Sequence, residues 1–128
     1  MGDRKILIAE DDSASAKLLE EVLKKENIQT VVAKNGAEAL FYYFQDPHFD
    51  TVLLDMMMPE IGGEDFLKII ESIYLRKMLP KNPQIIILTA VANISFLNRL
   101  TNFECVQAVL NKPLNTKALL EQLRLIAS

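Results

Sequence analysis

Apolar and polar positions fall in alternating blocks along this chain. Lys5-Ile6-Leu7-Ile8-Ala9 is a short, almost continuous apolar run, the pattern of a strand buried on both faces. From Ser13 to Lys25, Leu18, Leu19, Val22 and Leu23 recur at helical spacing. Lys17, Glu20, Glu21, Lys24 and Lys25 occupy the other side, so an amphipathic helix is predicted. Short β-rich runs at Thr30–Ala33, Thr51–Leu54, Gln84–Leu88 and Ala108–Leu110 predict four further strands. Four further helices are predicted between and after them. Ala37–Gln45 turns Leu40, Tyr43 and Phe44 inward, and Glu64–Met78 turns Phe66, Leu67, Ile70, Ile73 and Tyr74 inward. Asn93–Phe103 carries Phe96, Leu100 and Phe103 on one side, and Asn115–Ala127 turns Leu119, Leu120, Leu123 and Ile126 inward. Asn35-Gly36, Asp46-Pro47, the loop from Pro59 to Gly63, and Pro80 with Pro83 separate the blocks. Five strand–helix units in series predict an α/β fold, an open doubly wound parallel sheet covered by helices on both faces. A closed eight-fold barrel needs about twice this length.

Composition narrows this picture. A chain of 128 residues that is 50% hydrophobic and 24% charged is expected to form a single domain, 1–128, with its own core. A net charge of −3 offers no basic face for direct binding to nucleic acid. No apolar run is long enough for membrane insertion, and the N-terminal residues lack a signal core, so a cytoplasmic location is expected. Met1-Gly2 hints at myristoylation, but Ile6 stands where Ser or Thr is wanted. The one cysteine, Cys105, excludes an internal disulfide and a multi-cysteine zinc site.

In an open α/β sheet the ligand site lies beyond the carboxyl ends of the strands. Glu10-Asp11-Asp12 follow the first strand, Asp55 ends the third, Thr89 and Ala90 follow the fourth, and Asn111-Lys112-Pro113 follow the fifth. The second strand offers only Lys34-Asn35-Gly36. Carboxylates gathered this closely repel one another, and a divalent cation relieves the repulsion. Oxygen ligands without His or Cys select a hard ion, Mg2+ or Mn2+. A cation, the Lys112 ammonium and the Thr89 hydroxyl around one carboxylate form a cradle for a tetrahedral oxyanion. Phosphoryl transfer to a carboxylate needs little more. Asp12 reads instead as a helix N-cap.

The motifs ILIAEDD, VLLDMMMP followed by Gly63, IIILTA and NKP, in this order and on these loops, resemble the response-regulator receiver domain over essentially the whole chain. The resemblance implies a CheY-like, flavodoxin-like (βα)5 fold with strand order 2-1-3-4-5. It implies Mg2+-dependent transfer of a phosphoryl group to Asp55 from the phosphohistidine of a histidine kinase or histidine phosphotransferase. It also implies that Asp11 ligates the metal directly, with Asp55 and the main-chain carbonyl of Met57, while Glu10 acts through water. Thr89 follows the phosphoryl group, Lys112 pairs with it, and the Lys112-Pro113 bond is cis. Such a domain is no enzyme toward other substrates; it catalyses only its own phosphorylation and slow dephosphorylation. Signals leave through the fourth helix, fifth strand and fifth helix to a downstream target.

This sequence departs from the family pattern in three places. Val109 replaces the aromatic switch residue, Glu104-Cys105-Val106 replaces a small-residue junction, and the stretch from Gly63 to Pro83 is longer than usual. The resemblance also implies that the positions two after the acceptor and two after the threonine, here Met57 and Val91, flank the route of attack on the phosphoryl group. Neither has a polar side chain to orient water, so slow hydrolysis is expected. A phosphatase of the haloacid-dehalogenase kind wants a second aspartate at position 57, where Met57 stands, and no glycine-rich phosphate loop is present. A receiver that has lost its chemistry would lack an acceptor, an acid or the lysine, and all are here. The remaining conspicuous residues read as structural: Met56-Met57-Met58 and Cys105 as packing, His48 as surface, Gly62-Gly63 as turn chemistry.

Overall fold

The computed structural model describes residues 4–58, 60–81, 83–90 and 93–127. Pro59, Val91, Met1 and Gly2, which enter the expectations above, lie outside the described residues. Strands and helices alternate strictly: β1 Lys5–Ala9, α1 Ser13–Lys25, β2 Gln29–Ala33, α2 Gly36–Gln45, β3 Thr51–Asp55, α3 Gly63–Leu75, β4 Ile85–Thr89, α4 Ile94–Thr101, β5 Val106–Asn111 and α5 Thr116–Ala127. The strands form one parallel sheet in the order β2-β1-β3-β4-β5, as the resemblance implies. Among the described residues no helix is long and apolar enough to cross a membrane.

Side chains alternate between the faces of a strand, and the central strands use that alternation to feed two cores. Leu7, Ala9, Val52, Leu54, Ile85 and Ile87 meet Leu40, Tyr43, Phe66, Leu67, Ile70 and Leu100 from α2, α3 and α4. Ile6, Ile8, Leu53, Ile86 and Leu88 meet Leu19, Leu23, Leu119 and Leu123 from α1 and α5. Apolar residues on both faces explain why β3 and β4 are buried throughout, and β1 from Ile6 to Ala9. The edge strands β2 and β5 are partly exposed. The first α1 turn is fixed by Asp12, whose carboxylate accepts from the Ser15 N–H, as expected of an N-cap. Asn35 caps α2 by accepting from the Glu38 N–H, and the Glu38 side chain accepts from the Lys34 N–H.

Two helix faces differ from the sequence reading. Phe44 is exposed rather than inward. The buried stripe of α2 is Gly36, Ala39, Leu40 and Tyr43, and Phe44 lies roughly 90° round the helix from its centre. Leu18 is likewise exposed, roughly 130° from the stripe of Ala16, Leu19 and Leu23. The helix expected to reach Met78 stops at Leu75, and Lys77 beyond it adopts a left-handed backbone. The fifth strand begins two residues earlier than its apolar triplet, because Val106 pairs with Ile85 and Gln107 is passed over in a register shift before Ala108 pairs with Ile86.

The strand order positions the site. Beyond β1 the chain crosses to β2 on one side; beyond β3 it crosses to β4 on the other. The crevice at such a reversal opens at the carboxyl ends of β1 and β3, where Glu10, Asp11 and Asp55 stand.

Candidate functional site

Glu10, Asp11 and Asp55 each bring a carboxylate oxygen within 4.8 Å of the others. Glu10 is 2% exposed and Asp55 5%, whereas Asp11 is open to solvent. The Asp55 carboxylate is held from two sides. The Met57 N–H donates to Oδ1 at 3.2 Å, and the Lys112 Nζ stands 3.3 Å from Oδ2. The same ammonium donates to Glu10 Oε1 at 3.0 Å. Lys112 reaches these acids because its backbone N–H bonds the Thr89 carbonyl at 2.8 Å, which fixes the turn out of β5 against the end of β4. Thr89 is buried at that end, one residue beyond the pairing of Asp55 with Leu88. The Lys112-Pro113 bond is cis.

The charges do not balance within the protein. Burial first, and the neighbouring Asp55 carboxyl second, push the Glu10 carboxyl up to about 7, against the pull of Lys112. Partial burial alone would lower the Lys112 ammonium; its bond to Glu10 and the charge of Asp55 outweigh that and hold it above its ordinary value. One ammonium therefore bridges Glu10 and Asp55, the two buried acids of the three. The donor set is all carboxylate, with His48 an exposed partner of Asp46 and Cys105 buried in the core. These residues fit a hard divalent cation.

Glycines set the backbone around Asp55 by close approach rather than by unusual turn geometry. A Cβ on Gly63 would lie 2.7 Å from the Met56 Cα and 3.0 Å from the Asp55 carbonyl. A Cβ on Gly36 would lie 1.9 Å from the Ile61 carbonyl. The β2–α2 turn, silent in ligand chemistry, thus buttresses the loop that follows Asp55. Gly62 and Gly63 lie at the turn into α3, as expected: Gly62 is its N-cap, and neither takes a positive φ. Beside the acids a cleft of about 280 Å³ is lined by Leu18, Leu19, Pro113 and Leu114 together with Glu10 and Lys112.

The structure thus brings Glu10, Asp11, Asp55 and Lys112 together, with Thr89 at the adjacent strand end and Met57 on the loop that follows Asp55. Asp12 is drawn off into the α1 cap. The bridging of both buried acids by one lysine was not legible from spacing, nor was the contact between Gly36 and Ile61. The unusual junction residue Cys105 is buried, and its backbone N–H donates to Glu71 of α3 at 3.3 Å. Val109, at the usual aromatic position, is half-buried against the core under α2, α3 and α4.

Comparison with known proteins agrees with this geometry. The family model for the response regulator receiver domain matches residues 6–124. The chain is 34% identical over 123 residues to the transcriptional regulatory protein CpxR of Escherichia coli (strain K12), covering 95% of this chain and 48% of that protein. It therefore spans about half the length of that relative. It is 36% identical over 97 residues to the sporulation initiation phosphotransferase F of Bacillus subtilis (strain 168), covering 76% of this chain and 73% of that protein. Among solved structures, the receiver domain of the Francisella response regulator 1452 matches with a TM-score of 0.80 at 26% identity, over 97% of this chain and 96% of that one. The Vibrio cholerae chemotaxis protein CheY4 matches in fold with a TM-score of 0.81 at 23% identity, over 96% of this chain and 98% of that one.

Proposed function

This chain belongs to the response regulator receiver domain family, and on that premise we propose that Asp55 is its phosphoryl acceptor. The donor is the phosphohistidine of a histidine kinase or histidine phosphotransferase. The observation that carries the reading is the Asp55 carboxylate, buried at the sheet's switch point between Lys112 and the acids Glu10 and Asp11.

In the proposed step an Asp55 oxygen attacks phosphorus, a P–O bond forms and the P–N bond breaks. The electron pair leaves on the imidazole nitrogen, which takes a proton. Lys112 remains beside the acceptor and counters the charge that the phosphoryl oxygens add. The Met57 N–H restrains Oδ1, so the carboxylate meets the incoming phosphorus in one orientation. The Thr89 hydroxyl, at the end of β4, follows the new oxyanion and carries the change into the segment after β4.

Glu10, Asp11, Asp55 and the main-chain carbonyl of Met57 would hold Mg2+, or Mn2+, with Glu10 acting through water. When bound, the cation supplies charge neutralisation for the acids and the phosphoryl oxygens. The chemistry is confined to the chain's own carboxylate, so the domain acts as a switch rather than as an enzyme on other substrates.

Beryllofluoride with Mg2+ tests this reading as a phosphate analogue. It is expected to bind the wild-type chain and to shift the backbone resonances of Asp55, Thr89 and Lys112. Equal binding to Asp55→Asn would overturn the assignment.

A further inference from the structure

We propose that Met57 is an oxidation site, and that its sulfoxide shortens the life of the phosphoryl group on Asp55. The inference rests on the reading of Asp55 as acceptor. Of the four methionines among the described residues, Met57 and Met78 are 71% and 70% exposed. Met56 is buried, its sulfur packed where a Cβ on Gly63 would fall. Met58 is half-buried against the core. The packing role expected of the Met56-Met57-Met58 run therefore holds for its flanking members, while the middle thioether, two residues after the acceptor, is offered to solvent. Its backbone is anchored at Asp55, because the Met57 N–H donates to the Asp55 carboxylate at 3.2 Å, so the thioether swings from a point fixed beside the acceptor.

The modification is an oxygen transfer from a peroxide: one S–O bond forms on Met57, the peroxide O–O bond breaks, and water or an alcohol leaves. The thioether supplies the electron pair and is oxidised while the peroxide is reduced. Cys105 does not compete for the oxidant. Burial first, then the charge of Glu71, pushes its thiol up to about 12, and the side chain is shut inside the core.

Oxidation turns an apolar side chain into a polar acceptor. A thioether accepts hydrogen bonds weakly, whereas a sulfoxide oxygen accepts them well. Placed beside Asp55, that oxygen can receive a proton-side hydrogen bond from a water and so aim the water's lone pair at phosphorus. The phosphoryl lifetime then reports the oxidative state of the surroundings, and reduction of the sulfoxide restores it.

The test uses the whole chain carrying Met78→Leu, so that Met57 is the exposed sulfur under study. Half is treated with hydrogen peroxide, and peptide mass mapping locates the added oxygen. Both halves are loaded with acetyl phosphate and Mg2+, the donor is removed, and the decay of label on Asp55 is followed. Oxidation is expected at Met57 and not at Met56. Decay is expected to be about fivefold faster in the oxidised half, the factor that one net hydrogen bond supplies. Methionine sulfoxide reductases of both epimer specificities are expected to return the rate to its starting value. A Met57→Leu chain, compared only with its own untreated half, is expected to show no change with peroxide. Decay that is unaltered by oxidation at Met57, or altered equally in the Met57→Leu chain, overturns the proposal. Failure of the untreated chain to label Asp55 at all refutes the acceptor assignment instead, so the two failures are distinguishable.

Discussion

The Lys112 ammonium stands 3.3 Å from the Asp55 carboxylate, although their strands are separated by β4. It spans that gap because the Lys112 N–H is fastened to the Thr89 carbonyl at the end of β4. The Asp55 carboxylate, Thr89 and the Lys112 ammonium are therefore parts of one connected edge rather than three loops that happen to meet.

Replacing Lys112 by Met removes the counter-charge from two buried acids. The apo fold is expected to lose roughly 1–2 kcal/mol, below the usual cost of breaking a buried pair because the lysine is partly exposed and Glu10 can protonate. Urea unfolding at neutral pH measures this, and an unchanged midpoint would mean that the ammonium does not hold the acids together.

Asp11→Ala is expected to weaken Mg2+ binding by at least about tenfold, the lower end of what losing even an outer partner costs a metal site. The same change removes one charge from the repelling cluster, so the metal-free chain is expected to melt slightly higher. Calorimetric titration and a melting curve read the two effects separately; unchanged Mg2+ affinity contradicts the assignment.

Gly36→Ala drives a methyl group into the Ile61 carbonyl. Overpacking of this kind costs about 1–3 kcal/mol. Because Ile61 lies in the loop after the acceptor, labelling of Asp55 by acetyl phosphate is expected to slow as well. A loss of stability with full labelling speed would show that this turn does not buttress the site.

Glu64 of α3 and Arg99 of α4 join through two 3.0 Å bonds, with Arg99 also lying over the Phe96 ring. Arg99 is exposed and Glu64 half-buried, so Glu64→Gln is expected to cost only about 0.2–1 kcal/mol. Its larger effect is on α4, where amide exchange is expected to quicken. Loading the wild type with beryllofluoride is expected to alter exchange in α4, β5 and α5; change confined to α2 and α3 contradicts this output route.

Much of this was legible in the sequence where burial is two-sided or periodicity is strong. The limits of β1 and α1 follow directly from the run Lys5–Ala9 and the stripe from Ser13 to Lys25. The site acids were legible because topology alone places Glu10, Asp11 and Asp55 at one edge. Phe44 misled because an aromatic residue at the rim of a helical stripe has the same spacing as one at its centre. The role of Gly36 was hidden because it rests on a backbone carbonyl approached from another loop, which no residue pattern encodes. The left-handed Asn27, Glu60 and Lys77 were equally silent, since none is glycine.

The central claim is that Asp55 alone takes the phosphoryl group. The chain is incubated with Mg2+ and acetyl phosphate, and the modified residue is mapped by mass spectrometry on wild type and Asp55→Asn. The account predicts one acyl phosphate, on Asp55, and none on the variant. Undiminished labelling of Asp55→Asn, or label mapped to another residue in the wild type, would contradict it.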